Sequence, residues 1–442
     1  MAGVSETTVT CGSPTEAWRE CPRCGLFSVL PDMCPGLVAD CPRCHYTLWR
    51  MRKVPFEFSL ACGLTALLFY LFAVMAPFLD ISVYGRFQLA YLDTGPWRLS
   101  LQNYTDVALL VLAVTTLFPG LKLGIMLVTL IGLETRSVPP RWLKTIFRFY
   151  ETIAPWAMVD VYLLGFLVAY TRLTAIATVH LDTALYLLIG LMVSMAAADA
   201  TLDKEAVWRA LDEADSASVA KNSSPPLVNH QAFTYVGCLA CGMVNYAPSN
   251  ARCHRCHSIL HRRKPYSISR SWALVIAAAL LYMPANLYPV MQITQLAAVH
   301  PFTILAGIQE LESYGLWPLA LLVFFASICI PLAKLISLAY MLIQTQTNSR
   351  KGIVGRTRAF KIIEIIGRWS MIDVFMISIL VSLVNFGQIA YVHAELGAAC
   401  FAAVVVLTIF AVSVFDPRLM WDAAETPQLQ TTHARELETG PQ

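Results

Sequence analysis

The sequence predicts an all-α polytopic membrane protein: eight transmembrane helices as two parallel four-helix repeats, each preceded by a small cysteine-rich module. Three observations predict it. Of 442 residues, 57% are hydrophobic and 14% charged, whereas an ordinary soluble domain carries about 25% charged residues. Eight apolar runs are long enough to cross a bilayer, which takes about 20 residues each. Polar landmarks also recur at a shift of 212–213 residues. The composition excludes a soluble enzyme with a polar surface and a disordered chain. The net charge of +3 argues against bulk nucleic-acid binding, and no nucleic acid is expected as a partner.

The runs lie near 56–79, 104–133, 152–171, 181–199, 270–291, 315–343, 365–386 and 395–415. The second and sixth exceed the needed length, which predicts tilt or a kink. Each holds a central proline, Pro119 and Pro331. Proline lacks an N–H, so a polar neighbour or water has to satisfy the carbonyl it frees. Of 32 Lys and Arg, 27 fall on one side of the spans, and Arg86, Arg98 and Arg172 on the other; Lys122 and Lys334 lie within spans. The basic side is expected to be cytoplasmic, with both termini there. The first residues are polar, and no cleavable signal is expected. The expected organisation is a disordered tail (1–17), a first module (18–53), four spans (54–202), a linker (203–232), a second module (233–264), four spans (265–416) and a disordered tail (417–442).

The repeat is explicit in the residues. Pro119-x-x-Lys122-Leu123 falls on Pro331-x-x-Lys334-Leu335, and Trp156-Ala-Met-Val-Asp160-Val on Trp369-Ser-Met-Ile-Asp373-Val. Pro77, Glu151 and His180 fall on Pro289, Glu364 and His393. Four spans per repeat is an even number, so the repeats run parallel. The first outer loop of each has partial alternation, at Ile81-Ser82-Val83-Tyr84 and Val290-Met291-Gln292-Ile293-Thr294, which fits a short hairpin.

Eight cysteines form two sets: Cys21-x2-Cys24 with Cys41-x2-Cys44, and Cys238-x2-Cys241 with Cys253-x2-Cys256. Two such knuckles place four thiolates tetrahedrally around Zn2+, giving two structural, zinc-ribbon-like sites. The cytoplasmic side disfavours disulfides. A redox dithiol is the alternative. Cys11, Cys34, His254, His257 and His261 are nearby candidates for a substituted ligand. Arg262-Arg263-Lys264 abuts a span and is read as a headgroup and topology signal.

Charges inside a bilayer cost about 2.5–3.5 kcal/mol each on insertion scales. The repeat supplies Lys122 with Asp160 and Lys334 with Asp373. Lys334 and Asp373 lie at similar depth, so they are expected to meet. Ser327 shares a helical face with Lys334, Ser370 with Asp373, and Thr408 lies mid-span. Their first-half counterparts are Thr115, Ala157 and about Met195, so the second half has the fuller polar set. The bland alternative is a buried pair that fixes helix packing.

This combination of tandem Cys-x2-Cys modules, each before four spans, with repeated Pro-x-x-Lys-Leu and Met-[Val/Ile]-Asp-Val motifs, resembles the paraquat-inducible protein A family over about residues 18–420. The resemblance implies an inner-membrane protein of Gram-negative bacteria. Its implied partner is an MCE-domain protein forming a tunnel across the periplasm, and the pair moves phospholipids between membranes. It implies that Lys334, Asp373, Ser327, Ser370 and Thr408 form a network coupling transport to proton flow, with Lys122 and Asp160 their first-half counterparts. No Gly-x4-Gly-Lys-[Ser/Thr] loop and no Ser/His/Asp set is present, so a non-enzyme without ATP chemistry of its own is expected. Two further readings use the same residues: a proton-coupled secondary transporter of a small molecule, and a membrane scaffold or sensor with structural zinc modules.

Overall fold

Local conformation follows the apolar runs in the computed structural model, which describes residues 18–30, 36–52, 56–83, 86–135, 140–174, 178–219, 234–248, 250–295, 298–384 and 390–425. The tail expected over 1–17 and residues 426–442 of the tail expected over 417–442 lie outside the described residues, as do Cys11, Cys34 and Tyr84. Along the chain, β1 (Trp18–Glu20) pairs with β2 (Phe27–Val29), and β3 (Val38–Asp40) with β4 (Thr47–Arg50), both antiparallel. The first span, Glu57–Met75, leads to β5 (Leu79–Val83) and β6 (Arg86–Ala90). The second span (Thr105–Thr135), the third (Trp142–Thr171), β7 (Thr178–Leu181) and the fourth span (Thr183–Thr201) complete the first repeat. A helix over Lys204–Val219 precedes β8 (Thr234–Gly237) and β9 (Val244–Ala247). The second repeat reads fifth span (Ser267–Leu287), β10 (Met291–Gln295), β11 (Ala298–Phe302), sixth span (Trp317–Gln346), seventh span (Ile353–Leu383), β12 (Ala390–Ala394) and eighth span (Leu396–Val414).

The eight apolar helices make this a multi-pass membrane protein. Each expected hairpin is present and gains a third strand from the loop before the last span of its repeat. The sheet orders are β6-β5-β7 and β11-β10-β12. Met291 stands opposite both Phe302 and Ala394 in the second.

Four segments differ from expectation. The loops expected over 134–151 and 344–364 carry the helices Trp142–Ile153 and Ile353–Ile366, each joined to its span by a 3-10 turn, Ala154–Trp156 and Gly367–Met371. The first helix is amphipathic: Leu143, Phe147 and Tyr150 are buried at intervals of four and three, while Thr145 and Phe149 are exposed. A hydropathy window averages those faces and reads a break. The expected linker begins with the helix Lys204–Val219, capped by Asp203, whose Oδ1 accepts from the Glu205 and Ala206 N–H at 3.1 Å each. The tail expected from 417 is helical over 418–425. There Trp421 is buried and donates to Thr357 Oγ1 at 3.1 Å, and Arg418 pairs with Asp416 at 3.0 Å.

The described residues form two units. One takes residues within 1–63, 125–151 and 196–263; the other takes those within 64–124, 152–195 and 264–425. The first holds both cysteine modules and a core in which Trp208 meets Phe147 edge-on at 5.2 Å and Phe147 stacks on Tyr150 at 5.6 Å. Tyr150 donates its hydroxyl to Asp199 at 2.9 Å, which satisfies the polar end of a buried ring. The second unit holds most of the spans and both three-stranded sheets. At its centre the helix Ile372–Leu383 is buried along its whole length. Tyr162 meets its Phe375 edge-on at 5.6 Å.

Candidate functional site

The four knuckles share one geometry. In each, the residue after the second cysteine has positive φ: Gly25, His45, Gly242 and His257. Its N–H returns to the carbonyl of the first cysteine at 2.9–3.0 Å. His257 is therefore a turn residue, and neither His254 nor His261 joins the thiol group. The sulfurs of Cys21, Cys24, Cys41 and Cys44 lie within 4.8 Å of one another, as do those of Cys238, Cys241, Cys253 and Cys256, and all eight residues are buried. Measured pairs are Cys21–Cys44 and Cys24–Cys41 at 3.5 Å, Cys238–Cys256 at 3.5 Å and Cys241–Cys253 at 3.6 Å. A tetrahedron with metal–sulfur bonds of about 2.3 Å separates its sulfurs by about 3.8 Å. Thiols this close resist joint ionisation without a cation. Burial pushes the Cys44 thiol up to about 12, while a hydrogen bond with Cys24 draws the Cys21 thiol down to about 5. A bound divalent ion would turn all four into thiolates. The residues thus fit two closed four-thiolate metal sites.

The intramembrane cluster forms where two irregular turns meet. The sixth span contains a π turn, Phe325–Cys329, just before Pro331. The second span repeats it at Ala113–Leu117 before Pro119. Pi turns mark helices whose carbonyl ladder is interrupted, and the prolines supply the interruption. In each repeat a tyrosine from the first span closes the gap. Tyr70 donates to the Thr116 carbonyl at 2.8 Å, and Tyr282 to the Ile328 carbonyl at 3.2 Å. These tyrosines also stand one repeat apart, 212 residues, which makes them legible in the sequence as part of the same repeat. Tyr282→Phe is expected to lower stability by about 1 kcal/mol, the usual scale of an interhelical hydrogen bond in a membrane. Thermal unfolding in detergent reads this out, and an unchanged midpoint would mean another group serves that carbonyl.

Lys334, 2% exposed, is held by the Gly367 carbonyl and by Thr408 Oγ1 at 3.4 Å. Ser370 donates to the same Gly367 carbonyl at 3.2 Å. A side chain at 367 would strike the lysine, since a Cβ there would lie 2.8 Å from its Cε. Ser327 is buried in the π turn and donates to its own Val323 carbonyl at 2.7 Å. The structure thus brings Lys334, Ser370 and Thr408 together around Gly367, a residue not anticipated because it acts through its backbone.

Lys334 is bonded to Gly367 and Thr408, and Asp373 follows the 3-10 turn Gly367–Met371. Helix restarts at Ile372, placing Asp373 in a first turn, where the helix N-terminus favours a carboxylate. Asp373 lines a narrow crevice with Val323, Met376, Ile377, Met291, Phe302 and Thr303. It is 3% exposed, whereas Asp160, its counterpart, is exposed. Lys122 and Thr115 are buried like Lys334 and Ser327, but Ala157 and Met195 occupy the positions of Ser370 and Thr408.

A model of one protein family, described as paraquat-inducible protein A, matches this chain over residues 57–212 and again over 268–425. The chain belongs to that family. The double match is the internal repeat itself, one four-span set per copy. "Intermembrane transport protein PqiA" of Escherichia coli (strain K12) is 29% identical over 403 residues, covering 91% of this chain and 95% of the relative. "Lipophilic envelope-spanning tunnel protein A" of the same strain is 29% identical over 421 residues, 93% of each chain. "Probable intermembrane transport protein" of Haemophilus influenzae is 26% identical over 413 residues, 92% of this chain and 97% of the relative. No solved structure gives a significant match. In this paraquat-inducible protein A family member the matched segments take in all seven intramembrane candidates. The cysteine modules, at 21–44 and 238–256, lie outside both.

Proposed function

We propose that this protein is the inner-membrane subunit of an MCE-type lipid transport system, with both termini cytoplasmic. It loads or extracts phospholipid at the membrane end of a periplasm-spanning tunnel formed by an MCE-domain partner. The names of its relatives, intermembrane transport protein and envelope-spanning tunnel protein, support the class of activity. The observation that carries the coupling half of the reading is Lys334. A buried lysine in an apolar span is costly, and such residues mark transport or proton pathways. This one is held by a carbonyl and a hydroxyl. Both acceptors serve an ammonium and a neutral amine alike, so a change of protonation leaves the packing in place. The two four-thiolate sites hold structural Zn2+ and, being closed, supply no reaction.

The test is lipid transfer between membranes with the MCE partner present. Lys334→Ala is expected to slow transfer at least about tenfold, 1.4 kcal/mol in barrier. Full transfer by a stably folded variant would sink the coupling. The narrowness of the crevice at Asp373 favours a second reading, proton-coupled transport of a small molecule. Solute uptake by proteoliposomes lacking any partner would select it.

A further inference from the structure

The two thiol clusters are built into one another, and the inference drawn from this rests on reading each as a metal site. Glu20 precedes Cys21 and is buried. Its carboxylate accepts from the N–H of Gly237, the residue before Cys238, at 2.8 Å. It also accepts from Arg263 Nη1 at 3.1 Å. The position before the first ligand of one module thus touches the same position of the other. No side chain fits at 237, because a Cβ there would lie 2.6 Å from the Cβ of Glu20.

The turn glycines repeat the exchange. Arg263, from the second module, lies over Gly25 of the first, where a Cβ would meet its Nη2 at 2.9 Å. Arg19, from the first module, lies over Gly242 of the second, with Nη1 at 2.6 Å from such a Cβ. Both glycines have φ near the left-handed value, 73° and 74°, and both close the first knuckle of their module. Each module therefore sends one arginine across the other's turn. The helix Lys204–Val219 anchors this arrangement. Its buried Glu205 accepts from Arg19, from Arg209 at 3.3 Å and from Arg255 at 3.4 Å. Arg255 lies between Cys253 and Cys256 and also pairs with Asp212.

A divalent ion on four thiolates leaves a net negative site. Each such site has, beside its first turn, a guanidinium supplied by the other module. We propose that the two metal sites load and release as one cooperative unit. Metal in one module fixes the turn against which the other module's arginine packs, and loss of either metal loosens both.

The test uses the full chain in detergent, with zinc counted by elemental analysis and its release into a chelator followed in time. Wild type is expected to carry two metals that leave in one phase. A count below two would overturn the metal reading, and the coupling with it. In Cys253→Ser/Cys256→Ser the remaining metal is expected to leave at least about tenfold faster, within the usual range of coupling between sites. Release at the wild-type rate would overturn the proposal. Arg19→Met/Arg263→Met keeps all eight thiols, so it decides the matter if the serine variant folds poorly. Two metals leaving in two separate phases support coupling, and a single phase at the wild-type rate overturns it.

Discussion

Asp373→Asn is expected to reduce transport at least about tenfold, whereas Asp160→Asn stays within about twofold of wild type. The two aspartates occupy the same place in the repeat and the same first turn of a helix. Their surroundings differ. Asp373 is 3% exposed and lines the crevice that reaches Met291 and Phe302; Asp160 is exposed. The helix after Asp373 is buried throughout, so the medium there is apolar and a charge has large consequences. Asparagine keeps the volume and removes the ionisable carboxyl, which separates proton chemistry from packing. Partner-dependent lipid transfer by each variant, normalised to the amount of folded protein, gives the comparison. Equal losses would show that the halves work as equivalents and that burial does not select the working one.

Much of this was legible in the residues. Eight spans, parallel repeats and both ligand sets follow from long apolar runs and from cysteine spacing, features that leave few structural options. Three things were not. The amphipathic helix at Trp142–Ile153 has a buried stripe of Leu143, Phe147 and Tyr150 beside exposed residues, and averaging along the chain erases it. The helix Lys204–Val219 was legible in principle: Asp203 is a capping residue, and Val207, Trp208 and Leu211 lie on one face and are buried. Its polar composition between two modules nevertheless reads as a linker. Gly367 is hidden for a different reason: it acts through a backbone carbonyl, set in the 3-10 turn Gly367–Met371 where a regular helical rise does not apply. Spacing arguments carry an implicit regular helix, and the motif positions are where this chain departs from one.

Removing the ligands of one module should have the largest structural effect of any change in the chain. Cys41→Ser/Cys44→Ser is expected to unfold residues 18–52 while leaving the eight spans intact. The reason is the thinness of the module's own core. Apart from its cysteines, its buried apolar cluster among the described residues is Leu30, Ala39 and Trp49. A module of this length has at most about 2–5 kcal/mol of stability at usual per-residue values. A structural Zn2+ contributes about 10–16 kcal/mol in comparable short domains. A bound Zn2+ would therefore exceed everything else holding the module, including the 3.4 Å bond from Trp49 to Asp203 and the guanidinium of Arg209 at 4.2 Å over the indole. Those contacts tie the module to the helix Lys204–Val219, so its loss should also expose that helix's start. Limited proteolysis of the purified chain reads this directly: cleavage within 18–52 and near Asp203 should appear in the variant, and in wild type only after chelation. Resistance equal to wild type, with one metal missing, would mean that packing rather than metal holds the module together.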